Sequence, residues 1–276
     1  GGVLVSDYEL WIDQGSAGST FIQLTNYVYS AEGFTYDVDV ATETLTVGLF
    51  YRFKYLAVNS KGESEFSNAL TVPLADVPAQ PSSLSLTALT KTSVQAEWVA
   101  STGTGTPAGD IKGYMVYRDD GLSGSFTLIY NGSNIATVRS VVSTSLVTGY
   151  YYMFKHEAVN SAGSSLASTE TGIYACIAPS GMAAPVLGTI TETQVEIFWS
   201  APTDNGGCAV EGYELYVTNL ARSAYNEVHS AEVNDIPSLR TFNITELPTG
   251  VEGQKMNIQV KVKNEAGLYA ESDILE

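Results

Sequence analysis

Histidine, cysteine and basic residues are scarce in this sequence, and no apolar run in it approaches the length of a membrane span. The two histidines, His156 and His229, stand far apart, and neither has the companions that a metal site or a catalytic triad requires. There is no G-x-S-x-G elbow and no phosphate loop, so no catalytic residue, metal ligand or cofactor is expected. Thirteen basic residues against thirty acidic ones leave a formal charge of −17, which repels nucleic acid and anionic membrane surfaces. Neither nucleic-acid binding nor direct membrane insertion is expected. The N-terminus lacks a basic n-region and an apolar h-region, and the chain starts at Gly1-Gly2 rather than Met, which suggests a processed or partial chain. Charged residues make up only 16% and hydrophobic ones reach 44%, a composition that folds rather than stays disordered.

What the sequence does contain is repetition. The segment D-Y-E-L-W around Tyr8 returns as G-Y-M-V-Y around Tyr114 and as G-Y-E-L-Y around Tyr213. A second motif keeps step. Counting from Gly48, Gly149 and Gly253, the three rows are Phe53-Tyr55-Ala57-Asn59-Gly62, Phe154-His156-Ala158-Asn160-Gly163 and Ile258-Val260-Val262-Asn264-Gly267. A period of about one hundred residues is too long for a solenoid and fits β-sandwich domains in tandem.

Between the motifs, apolar and polar residues alternate in short runs broken by Gly, Asn and Asp, the period of half-buried strands. Val94, Ala96 and Trp98 form one run, and Val195, Ile197 and Trp199 its counterpart. Asp119-Asp120-Gly121 suits a tight turn with positive φ, and Asp204-Asn205-Gly206 is similar. Both trios could also serve calcium, although turn chemistry explains them equally well.

Taken together, these features resemble the fibronectin type III family over nearly the whole chain. The resemblance rests on Pro-rich lead-ins (Pro78, Pro81; Pro179, Pro185), V-x-A-x-W or V-x-I-x-W, G-Y, then L-x-x-G-x-x-Y-x-F closing with A-x-N-x-x-G-x-S. It implies an all-β fold of tandem immunoglobulin-like sandwiches, with domains at 1–75, 76–176 and 177–276. Trp98 and Trp199 would fill the cores, and Tyr51 and Tyr152 would make the family's tyrosine corners. The third repeat has Met256 at that position, so its corner must be absent or replaced. His156, aligned with Tyr55 and Val260, is expected in the core.

Gly1 aligns with Gly206, so the first repeat begins at the loop before its third strand and is expected to lack its first two strands. In the family those strands form most of one sheet, so Tyr8, Leu10, Ile12, Phe53 and Tyr55 would face an open groove. Losing three inward residues at about 1.5–3 kcal/mol each removes an amount comparable to a domain's stability of roughly 5–15 kcal/mol. The first repeat should not fold alone. Preceding residues of a longer polypeptide or a strand from another subunit would complete it, so the expected partners are further repeats of the array or copies of the chain itself.

Cys176, before the third repeat, and Cys208, in the loop between its second and third strands, lie at one pole in that fold. They are expected either to form a disulfide or to remain small apolar thiols. Asn131-Gly-Ser133 and Asn243-Ile-Thr245 are candidate N-glycosylation sites, so glycans join the expected partners. The resulting expectation is a non-enzymatic structural protein of an extracellular fibre, surface coat or adhesin. The alternatives are a ligand-binding or adhesion ectodomain, and an accessory module of a secreted polysaccharide-degrading enzyme.

Overall fold

The computed structural model describes all residues except 1, 16–19, 29–34, 220–225, 228–235, 246–255 and 276. The described residues form five antiparallel sheets and no helix. His229 and Gly253 fall outside them, as does the segment leading to Met256, where the third tyrosine corner would lie.

The second repeat is the complete pattern. Strands β6 (Ser85–Thr90), β7 (Ser93–Glu97) and β10 (Ser140–Ser143) make a three-stranded sheet in the order β10-β7-β6. Strands β8 (Gly113–Arg118), β9 (Thr127–Asn131), β11 (Tyr151–Val159) and β12 (Thr171–Tyr174) make the facing one, β12-β11-β8-β9. Alternation along β7 and β11 turns Val94, Ala96, Tyr152, Phe154, His156 and Ala158 into the space between the sheets, and all six are buried. Trp98 closes the layer, its ring 5.7 Å from that of Tyr114.

The third repeat follows the same plan. Strands β13 (Val186–Ile190), β14 (Val195–Phe198) and β17 (Thr241–Ile244) face β15 (Val210–Asn219), β16 (Asn226–Glu227), β18 (Met256–Asn264) and β19 (Tyr269–Glu271). Trp199 again lies 5.7 Å from the ring of Tyr213, inside a core with Ile197, Leu215, Val217 and Val260.

The first repeat contributes one sheet. Its strands β1 (Asp7–Asp13), β2 (Phe21–Gln23), β3 (Phe50–Asn59), β4 (Gly62–Glu63) and β5 (Leu70–Pro73) join in the order β2-β1-β3-β4, with β5 also on β3. The register repeats that of the other two: Tyr8 faces Ala57 as Tyr114 faces Ala158 and Tyr213 faces Val262. Both expected tyrosine corners are present. The Thr46 N–H donates to the Tyr51 hydroxyl at 2.7 Å, and the Val147 N–H to the Tyr152 hydroxyl at 2.9 Å.

Each junction ties the linker to the following repeat through the Asn of the A-x-N motif or its V-x-N variant. Asn160 Nδ2 donates to the Asp76 carbonyl at 2.7 Å, and Asn264 Nδ2 to the Ile177 carbonyl at 2.9 Å. The loop after Gly48 meets the second repeat through the Ala108 N–H, which donates to the Gly48 carbonyl at 2.9 Å. The corresponding loop of the second repeat meets the third at Gly207. There the junction gains Lys91, whose Nζ reaches both Asp204 oxygens at 2.6 and 2.7 Å, and the Cys176–Cys208 disulfide, with its Cα atoms 5.8 Å apart. Asp204 is thereby a cation partner and turn residue, its carboxyl held below the usual range by the Lys91 ammonium and the Gly206 N–H.

Asp119 is not part of a tight hairpin. Eight residues, 119–126, separate β8 from β9. The Asp119 carboxylate is buried and accepts from the N–H groups of Gly121 and Met153 at 3.1 and 2.9 Å. The carboxylate thus pins a wide loop to the end of β11, and Gly121, with φ of 78°, is the member of the trio that takes the positive conformation. In the first repeat Asp13 has the same position and accepts from Gly15 N–H and Arg52 N–H, with Arg52 Nε added at 2.7 Å.

Candidate docking site on the first sheet

The inner face of the first sheet carries Tyr8 and Leu10 from β1, Phe53 and Tyr55 from β3 and Val72 from β5, because period-two alternation sends these positions to one side. They line a groove of about 690 Å³ together with Tyr36, Val38, Val40 and Leu45. Tyr55 is 53% exposed, whereas His156 at the aligned position is fully buried. Four of the five expected residues therefore line the groove.

Ile12 does not, and that expectation is corrected. It is 1% exposed, because Leu24, Tyr51, Leu49 and Leu45 close around it. Segment 35–46 partly covers this end of the sheet. Counting back from the corner tyrosines Tyr51 and Tyr152, residue 40 matches Val141 of β10, so the segment stands where the other repeats place a strand of the second sheet. Here residues 40–44 form a turn instead, with the Leu45 N–H donating to the Val40 carbonyl at 2.9 Å. Before the turn, Tyr36, Val38 and Val40 are partly buried while Thr35, Asp37 and Asp39 are exposed. That is strand alternation, yet no ladder among the described residues includes the segment. Glu43 anchors it, accepting from Asn26 Nδ2 at 3.0 Å and from the Tyr36 hydroxyl at 3.5 Å.

The outer face of the same sheet is differently made. Lys54 Nζ lies 4.0 Å from the centroid of Phe21 and 3.7 Å from that of Phe66, and Trp11 meets Phe66 edge-on at 5.5 Å. The indole N–H of Trp11 donates to Glu9 at 3.2 Å. Trp11 thus lies on the opposite face from the position that Trp98 takes over Tyr114. The sequence motifs did not separate these two tryptophan roles; the odd spacing between Trp11 and the inward Tyr8 and Leu10 was the available signal.

Elsewhere, His156 is a core residue as expected. Its ring lies 5.9 Å from that of Trp98 and 6.2 Å from that of Tyr114, neither nitrogen has a hydrogen-bond partner, and burial pushes its pKa down to about 4. Asn131 and Asn243 are both exposed; Asn131 Oδ1 accepts from the Ser133 hydroxyl at 2.8 Å, and Asn243 pairs across from Glu196. Among the described residues no group of three or more His, Cys, Asp and Glu could hold a metal ion, and no helix is long and apolar enough to cross a membrane.

No family model matches the chain. Among curated proteins it is similar to Exoglucanase B of Cellulomonas fimi, 30% identical over 188 residues that cover 62% of this chain and 16% of that protein. It is also similar to human Fibronectin type-III domain-containing protein 3A, 28% identical over 217 residues, 77% of this chain and 17% of that protein. The chain thus spans less than a fifth of the length of these relatives. Laid on the solved chicken CNTN1 FN1-FN3 domains, it shares 17% identity over 99% of this chain and 88% of that one. The TM-score of 0.41 is too low for the arrangement of the repeats to be read across. Motif, corner hydrogen bonds, sheet order and named relatives agree: the chain is similar to the fibronectin type III family and is built as a tandem array of β-sandwich repeats.

Proposed function

We propose that the chain is a non-enzymatic structural and assembly protein, part of an extracellular fibre, surface coat or adhesin. In this reading a β-strand supplied by preceding residues of a longer polypeptide or by a neighbouring subunit closes the groove of the first repeat. The observation that carries the proposal is the groove itself: two complete sandwiches bury their tyrosine and phenylalanine positions, and the third copy of the same sheet leaves Tyr55 and Val72 exposed. Exposed apolar surface of this kind marks an interaction site. The disulfide fits an oxidising compartment and so an extracellular or cell-surface setting. There, glycans on Asn131 and Asn243 would stand in solvent.

Leu10→Asp tests the proposal, because a carboxylate in the groove makes an incoming apolar strand costly. Negative-stain images of the native material should show regular filaments, and the variant should fail to form them. Filaments unaffected by Leu10→Asp would contradict the reading. The exoglucanase relatives favour a second one, an accessory module beside a catalytic domain of a secreted polysaccharide-degrading enzyme. Isolated flexible rods in the same images would support that alternative.

A further inference from the structure

Resting on the reading of the groove as a strand-docking site, we propose that its occupant is a basic β-strand. Its inward residues are apolar and include one large aromatic, and its outward residues are lysine or arginine. Three features specify it. The first is the alternating segment 35–40: the matching strands β10 and β17 pair antiparallel with β7 and β14, so an occupant pairs here in the same way. The second is Tyr8, which lines the groove where Tyr114 and Tyr213 carry the indoles of Trp98 and Trp199. An aromatic from the occupant has a matching surface there.

The third is charge. In the complete repeats a guanidinium also sits over the tyrosine, Arg139 at 4.7 Å from the Tyr114 ring and Arg240 at 4.9 Å from that of Tyr213. The residue aligned with Arg139 is Val38, so this repeat supplies no cation from that position. The pairing edge instead presents the exposed Asp37 and Asp39. Arg52 is engaged by Asp13, and Lys54 lies between Phe21 and Phe66. By the register of β10 on β7, Asp39 faces the position of Glu97 and Asp37 that of Val99. Like charges opposite one another destabilise a strand pair and opposite charges stabilise it. The chain's own β7 would place Glu97 against Asp39, and two copies at −17 repel, so a second copy is disfavoured.

The test uses the full chain and three synthetic peptides copying residues 83–100: the natural sequence, one with Glu97→Lys and Val99→Lys, and the lysine form with Trp98→Ala. Titration calorimetry should show the lysine form binding at least tenfold more tightly than the natural one. That advantage should shrink with added salt and in a chain carrying Asp37→Asn and Asp39→Asn. Trp98→Ala should cost the peptide tenfold or more, and Leu10→Asp in the chain should abolish binding. Equal affinity of the natural and lysine forms would overturn the basic-strand inference while leaving the groove as a docking site. Binding of none would overturn both. Dimers of the chain alone that Leu10→Asp dissociates would make a second copy the occupant and overturn the inference.

Discussion

The first and second repeats build the same sheet with the same register and the same corner hydrogen bond, and differ in what lies on top of it. In the second, β6, β7 and β10 cover the inward face, and Tyr114 and Phe154 are fully buried. In the first, segment 35–46 covers one end, sealing Ile12 and leaving Tyr8, Leu10, Phe53 and Tyr55 along a groove. The comparison separates two contributions to the fold. Strand alternation, turns and the Asp13 or Asp119 anchor set the sheet; burial comes from the second layer, which contributes most of the hydrophobic stabilisation.

The largest test of this contrast is a pair of tryptophan truncations. Trp98→Ala should lower the stability of the second repeat by about 3–5 kcal/mol, as expected for a large core aromatic. Trp11→Ala, on the half-exposed outer face, should cost roughly 1 kcal/mol or less. Denaturant unfolding of the two full-length variants measures both. Equal losses would mean that the two indoles play the same part.

A second test concerns the junctions, one stapled and one not. Replacing Cys176 and Cys208 with Ser should cost about 2–4 kcal/mol in the third repeat and leave the first two unchanged. Domain-resolved thermal unfolding reads this directly, and a shift in the second repeat instead would misplace the staple.

His156 gives the second repeat a pH dependence that Val260 denies the third. With its folded pKa pushed down to about 4 from an ordinary 6.5, the imidazole stays neutral in the core while the unfolded chain takes up a proton. Stability is therefore full above pH 6.5 and falls as the pH drops toward 4, by at most about 1.4 kcal/mol per pH unit. His156→Val should flatten that slope in urea unfolding between pH 7 and 4; an unchanged slope would place the titration elsewhere. Smallest of all is Lys91→Ala, whose partner Asp204 is only partly buried: it should lower Tm slightly at low salt and not at all at high salt.

The repeat phase was legible because alternation and positive-φ turns leave residue-type signatures, as in Phe154-His156-Ala158 followed by Gly163. The groove was legible in four of five residues because aligned positions share a face. Ile12 was not, since its burial comes from Leu24, which belongs to no repeated motif, and from Leu45 and Leu49, whose motif does not reveal that it folds over this end of the sheet. Nor was the anchoring role of Asp119, because a turn-forming Asp and a buried, N–H-accepting one look alike until the loop's path is known.

Amide hydrogen exchange of the isolated full chain tests the two-layer comparison most directly. If the second layer provides the stability, amides of β1 and β3 should exchange faster than those of β8 and β11 by two orders of magnitude or more. Equal protection of the two sheets would show that the first repeat is already complete by itself and needs no partner strand.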